Sequence, residues 1–123
     1  MNWEKAEILI RSKIFNNVHL DSKSEYKYIE AGPNYYCKQY DYNNSLGFKV
    51  QIGANNYIEV PFSMLKTLYF STITNNGIYD RNVIVDLYPM QVKNHGCHVH
   101  VIGKIFVLAG IMKQDNSRHY SIL

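Results

Sequence analysis

The chain has 123 residues, of which 46% are hydrophobic and 19% charged, and it carries a formal net charge of +3. That length predicts one domain with a core of its own, and that composition excludes wholesale disorder. The mild positive charge excludes a dedicated polycation but permits contact with nucleic acid, a nucleotide or an acidic protein.

In chain order, Trp3, Ala6, Ile10 and Ile14 recur at helical spacing, with Glu7 four residues before Arg11 in the favourable order. Residues 2–15 therefore read as an amphipathic helix that Asn2 caps. The opening lacks the long apolar run of a signal peptide, and no stretch approaches the length of a membrane span. The expected setting is the cytoplasm, where Cys37 and Cys97 default to free thiols.

The segment EYKYIEAG alternates as a strand does, with Tyr26, Tyr28 and Glu30 on one side and Lys27 and Ile29 on the other. A further short strand is expected at Tyr35–Tyr40. The clearest local pattern is GFKVQIGANNYIEVPF, read as a β-hairpin. Phe48, Val50 and Ile52 should face the core, and Lys49 and Gln51 should face water.

From Pro61, the residues Phe62, Leu65, Leu68, Tyr69 and Ile73 predict a helix over 61–75, which Asn75-Asn76-Gly77 stops. Residues 80–88 fit either a short helix capped by Asp80 or a Val-Ile-Val strand, with Pro89 ending both.

The stretch NHGCHVHVIGKIFVLAGI carries three histidines and a cysteine ahead of a long apolar run. An apolar run of this length favours a helix over 96–110, with Val99, Ile102, Phe106 and Ala109 as its core stripe and Gly110 as its cap. Gly103 in its middle costs about 1 kcal/mol relative to alanine. The tail KQDNSRHYSIL fits a short β-wing. The predicted fold is a single α+β domain: an N-terminal helix packed on a 3–4 stranded antiparallel sheet, followed by a mostly helical C-terminal subdomain.

No phosphate-binding, nucleophile-elbow or zinc-protease motif is present. His98 and His100 would share a face in a strand, and His95 and His98 in a helix, with Cys97, His19 or His119 as further donors. No complete ligand spacing accompanies them, so neither metal nor cofactor is expected. A metal-dependent nuclease would draw on Asp86, Gln91 and Lys93, but Pro89 interrupts that run and a second acid is missing.

Nucleic-acid binding is the leading reading. If 80–88 and 96–110 form a helix-turn-helix-like pair, Asn94, His95 and His98 stand at the start of a recognition helix. Arg81, Lys93 and Lys104 would then reach phosphates, and Lys113, Arg118 and His119 would touch the backbone from the wing. The expected function is thus a non-enzymatic binding protein for DNA or another polyanion.

The alternative is a small interaction or sequestering protein of a phage or other mobile element. It would take a host protein or a nucleotide through a surface of Tyr26, Tyr28, Tyr35, Tyr36, Tyr40, Tyr42, Lys27, Lys38 and Lys49. A homodimer is compatible with either reading.

Overall fold

In a computed structural model, residues 1–38 and 45–123 are described. The fold is mixed α+β, with an N-terminal helix, an antiparallel three-stranded sheet and further helices, as the sequence predicts. Helix α1 spans Trp3–Lys13, and the Asn2 side chain accepts the Lys5 amide at 2.9 Å. Trp3, Ala6, Ile10 and Ile14 are all buried, so the helical stripe is the core face.

The first sheet comprises β1 (Tyr28–Tyr36), β2 (Leu46–Gly53) and β3 (Asn56–Pro61), in that order. Phe48 and Val50 are fully buried against Val60 and Ile58 of β3, so the hairpin register is the predicted one. Ile52 is only half-buried, because it sits beside the turn where the sheet leaves the core. Lys49 and Gln51 lie on the opposite face, also half-buried.

Strand β1 corrects the sequence reading of this region. Lys27 has φ +63, so regular alternation begins at Tyr28 and not at Glu25. The two short strands expected there are one, continued to Tyr36 through two register shifts. The end of the expected Tyr35–Tyr40 strand lies outside the described residues, as do Tyr40 and Tyr42.

Helix α2 (Phe62–Thr74) follows Pro61 and stops at Asn75, with Asn76 and Gly77 at positive φ. Its buried face comprises Phe62, Met64, Leu65, Leu68, Tyr69 and Thr72. Ile73, expected in the apolar stripe, is 47% exposed on the last turn of the helix.

The Val-Ile-Val ambiguity resolves as helix α3 (Arg81–Leu87), with the Asp80 carboxylate accepting the Val83 amide at 3.2 Å. Pro89 ends it and at the same time opens α4 (Pro89–Asn94), since a proline without an N–H loses nothing in a first turn. Helix α5 (His98–Leu108) closes on Gly110 at φ +80. The Gly110 amide donates to Val107 O and that of Ile111 to Phe106 O, the paired bonds of a Schellman cap.

The C-terminal region also holds a second antiparallel sheet. Strands β4 (Ile78–Tyr79), β5 (Met112–Asn116) and β6 (His119–Ile122) lie in the order β4-β6-β5. The expected wing is therefore the β5–β6 hairpin, and its β6 edge is bound to a strand about forty residues earlier in the chain.

One core unites both sheets and all five helices. A line of rings threads it, from Trp3 to Tyr69 (5.8 Å between centroids), Phe106 (6.4 Å), Tyr79 (6.3 Å) and Tyr120 (5.8 Å). The line ends on His100, 6.2 Å from Tyr120. Among the described residues no helix is long and apolar enough to cross a membrane.

Candidate functional site

Two concavities among the described residues bear on function. The larger, about 480 Å³, lies between α2 and α3 and is lined by Phe70, Thr74, Asp80, Asp86 and Leu87 among others. It gathers acids and no base, so its electrostatics oppose an anionic ligand. The smaller, about 290 Å³, is lined by Asp80, Arg81, Asn82, Gly96, Val99, His100, Arg118 and His119. Size favours the first concavity. Charge favours the second.

Three elements build the smaller cleft. The start of α3 supplies Arg81 and Asn82, held in place by the Asp80 cap. The first turn of α5 supplies Val99 and His100, and the Tyr79 hydroxyl donates to Val99 O at 2.7 Å to tie β4 to that turn. The turn between β5 and β6 supplies Arg118 and His119. There the Asn116 Oδ1 accepts both backbone amides, at 2.8 and 3.1 Å. All three walls are thus fixed by hydrogen bonds before any ligand arrives.

Among the described residues the two arginines of the cleft form no ion pair. Ion pairs among the described residues join Glu7 to Arg11, Glu30 to Lys49 and Asp115 to Lys113, and neither Arg81 nor Arg118 takes part. Asp80 is the sole acid among the described lining residues, and its carboxylate is engaged as the α3 cap.

His100 Nδ1 lies 3.1 Å from the Tyr120 hydroxyl. Burial pushes that phenol up to about 12, so at neutral pH it keeps its proton. Burial lowers His100 from the usual imidazole range, and the positive charges of Lys27 and Lys104 lower it further. The neutral imidazole keeps one N–H, and the Tyr120 hydroxyl can donate to Nδ1 or accept from it according to the tautomer.

The position of Tyr120 depends on Gly103. A Cβ at residue 103 would stand 2.5 Å from the Tyr120 ring, so only glycine lets β6 approach α5 this closely. The mid-helix glycine that weakens α5 as an isolated helix is what allows the second sheet to dock on it.

The residues expected to bind a polyanion separate in the structure. Arg81 and Arg118 meet in the cleft. His98 does not take part, because it is fully buried, and burial lowers its pKa. Seven of the 11 residues of α5 are buried, and α4 intervenes between α3 and α5. Helix α5 is thus a core element and cannot lie in a major groove as a recognition helix does, which corrects the helix-turn-helix reading.

Lys93 and Asn94 are exposed at the end of α4, while the His95 carbonyl accepts the His98 amide. Lys104 donates to Gln114 Oε1 at 2.7 Å, and Lys113 lies 3.9 Å from Asp115. His119 was expected beside Arg118 in the wing, but neither it nor His100 was expected beside Arg81, because nothing local in sequence reveals that the tail crosses to α3 and α5.

The aromatic surface is largely committed to internal contacts. Tyr28 stacks near His19, with centroids 5.4 Å apart. Lys49 sits 3.7 Å from Glu30 and 4.5 Å above the Tyr57 ring. Tyr26 is half-buried, the Lys38 amide donates to the buried Glu59 carboxylate, and Tyr36 is the exposed member.

Cys37 and Cys97 are free thiols, and burial pushes Cys37 up to about 12, which leaves it unreactive at neutral pH. No group of three or more His, Cys, Asp or Glu side chains that could hold a metal ion is found among the described residues. Of the nuclease residues, Asp86 lines the acidic groove, whereas Gln91 and Lys93 sit on α4 beyond the Pro89 break. Comparison with protein-family models, with curated proteins and with solved structures finds no match to this chain.

Proposed function

We propose that this protein is a non-enzymatic binding protein for polyanions, and that nucleic-acid phosphate is the ligand. One observation carries the reading: two guanidiniums with no ion pair among the described residues, Arg81 and Arg118, line the same cleft as His100 and His119, on walls fixed by hydrogen bonds. Guanidinium is the side chain best matched to phosphate, because its planar fork donates two parallel hydrogen bonds to one oxyanion. Lys27 and Lys104, whose charges reach His100, extend the positive field beyond the cleft.

Contacts of this kind give affinity and position without direct reading of bases, so the expected binding has little sequence preference. The test is a salt series of oligonucleotide binding by fluorescence anisotropy. Affinity should fall steeply as salt rises, and Arg81→Ala and Arg118→Ala should each flatten the log–log slope by about one. No binding at low salt, where attraction between exposed charges is strongest, would end this reading.

A further inference from the structure

We infer that the cleft between α3, α5 and the β5–β6 turn takes a terminal phosphomonoester, the phosphate of a free nucleotide or of a nucleic-acid 5′ end. This inference rests on the polyanion reading and specifies which phosphate the cleft accepts. Three observations carry it.

The first is the arrangement of donors. Arg81 and Asn82 come from one wall, His100 from a second, and Arg118 and His119 from a third. A backbone phosphodiester has two free oxygens and a chain leaving on both sides. A monoester has three terminal oxygens and one substituent, so it can enter a three-walled recess and accept from every wall. The diester would have to thread between walls that the Asp80 cap and the Asn116 turn hold in place.

The second is charge. A monoester bears about −1.5 to −2 at neutral pH, whereas a diester bears a single negative charge. Arg81 and Arg118 provide two cations with no ion-pair partner among the described residues, matching a dianion. His100, held by its Nδ1 contact with the Tyr120 hydroxyl, adds a neutral imidazole to the lining.

The third is size. At about 290 Å³ the cleft stands at the small end of ligand cavities, which run from roughly 300 to 1,000 Å³. It suits a phosphate with one sugar, and Val99 offers an apolar contact for that sugar. It is too small for a segment of duplex.

The experiment is calorimetric titration of the whole protein with adenosine 5′-monophosphate, adenosine and the 3′,5′-cyclic monophosphate. Two single-stranded oligonucleotides of one sequence, with and without a 5′-phosphate, complete the set. We expect the monophosphate or the 5′-phosphorylated strand to bind at least tenfold more tightly than its partner lacking the monoester. Whichever of the two binds identifies the source of the phosphate.

Arg81→Ala and Arg118→Ala, both at exposed positions, should each remove most of that preference, and Lys5→Ala on α1 should not. Equal affinity for the two strands, together with monophosphate binding no better than adenosine, would overturn the inference while leaving general polyanion binding intact. Failure of every oligonucleotide and of the monophosphate at low salt would instead overturn the polyanion reading beneath it.

Discussion

The described residues form two three-stranded antiparallel sheets that arise in opposite ways. The first, β1-β2-β3, is nearly continuous in sequence: β2 and β3 form a hairpin whose alternation is plain in the chain. The second, β4-β6-β5, joins a two-residue strand at Ile78–Tyr79 to a hairpin at residues 112–122. The local sheet serves the core. The non-local sheet forms the cleft, because pairing Tyr79 with Tyr120 draws Arg118 and His119 toward Arg81 and His100. Elements assembled over long sequence separation can converge side chains that no local motif announces.

The largest effect that would break this contrast is expected in the first sheet. Val50 is fully buried opposite Ile58, so Val50→Asp places an unpaired charge in the core. No cooperatively folded protein is expected by circular dichroism. A folded variant would mean that the hairpin faces the other way.

Next comes the helix on which the second sheet docks. Phe106 is fully buried between Tyr69 and Tyr79, so Phe106→Ala should cost about 3–5 kcal/mol in chemical denaturation. A loss below about 1 kcal/mol would place Phe106 outside the ring line that links the two sheets.

These two residues also show what was legible in the sequence. Val50 and Phe106 sit in strong local periodicities, two-residue in one and helical in the other, and both patterns predict burial correctly. The polar face of α5 was harder to read. His98 precedes the apolar stripe and looks like its solvent-facing start, yet it is buried beneath neighbouring elements that the local pattern does not contain. Helix α4 was missed because Pro89 reads as a stop, although the same ring that ends α3 suits the first turn of the next helix. For the cleft, sequence identified the arginines by type and not by neighbourhood, since their meeting depends on a two-residue strand too short to leave a pattern.

A third prediction separates the sheets directly. Gly103→Ala improves helix propensity by about 1 kcal/mol but drives a methyl into the Tyr120 ring, which costs about 1–3 kcal/mol in a packed core. The net expectation is a loss of up to about 2 kcal/mol, with the disturbance confined to the second sheet. Amide hydrogen exchange should quicken in β6 and hold in β2 and β3. Faster exchange throughout would deny the sheets their separate origins of stability.

The mildest effect is a dependence of stability on pH, and it too belongs to the second half of the chain. His98 is fully buried, and desolvation lowers its pKa from the ordinary value of 6.5, outweighing the opposing hydrogen bond to the His95 carbonyl. In the unfolded chain the same imidazole takes up its proton near 6.5. Between the two values the unfolded state binds more protons, so stability rises with pH there. The contribution of His98 is therefore complete above about pH 6.5 and fades as the pH falls toward the folded value. Half-buried His100 shifts in the same direction and adds to the slope. Asp21, lowered by its hydrogen bond from the Lys23 amide, acts only near and below its ordinary value of 3.8, in a separate window. Thermal melts from pH 7.5 down to pH 5 should show a declining midpoint for the wild-type protein. His98→Gln cannot titrate, so its decline should be shallower whatever its midpoint at pH 7.5. Parallel slopes for the two proteins would show that His98 accepts a proton in the folded state as readily as in water, and that the buried end of α5 is open to solvent.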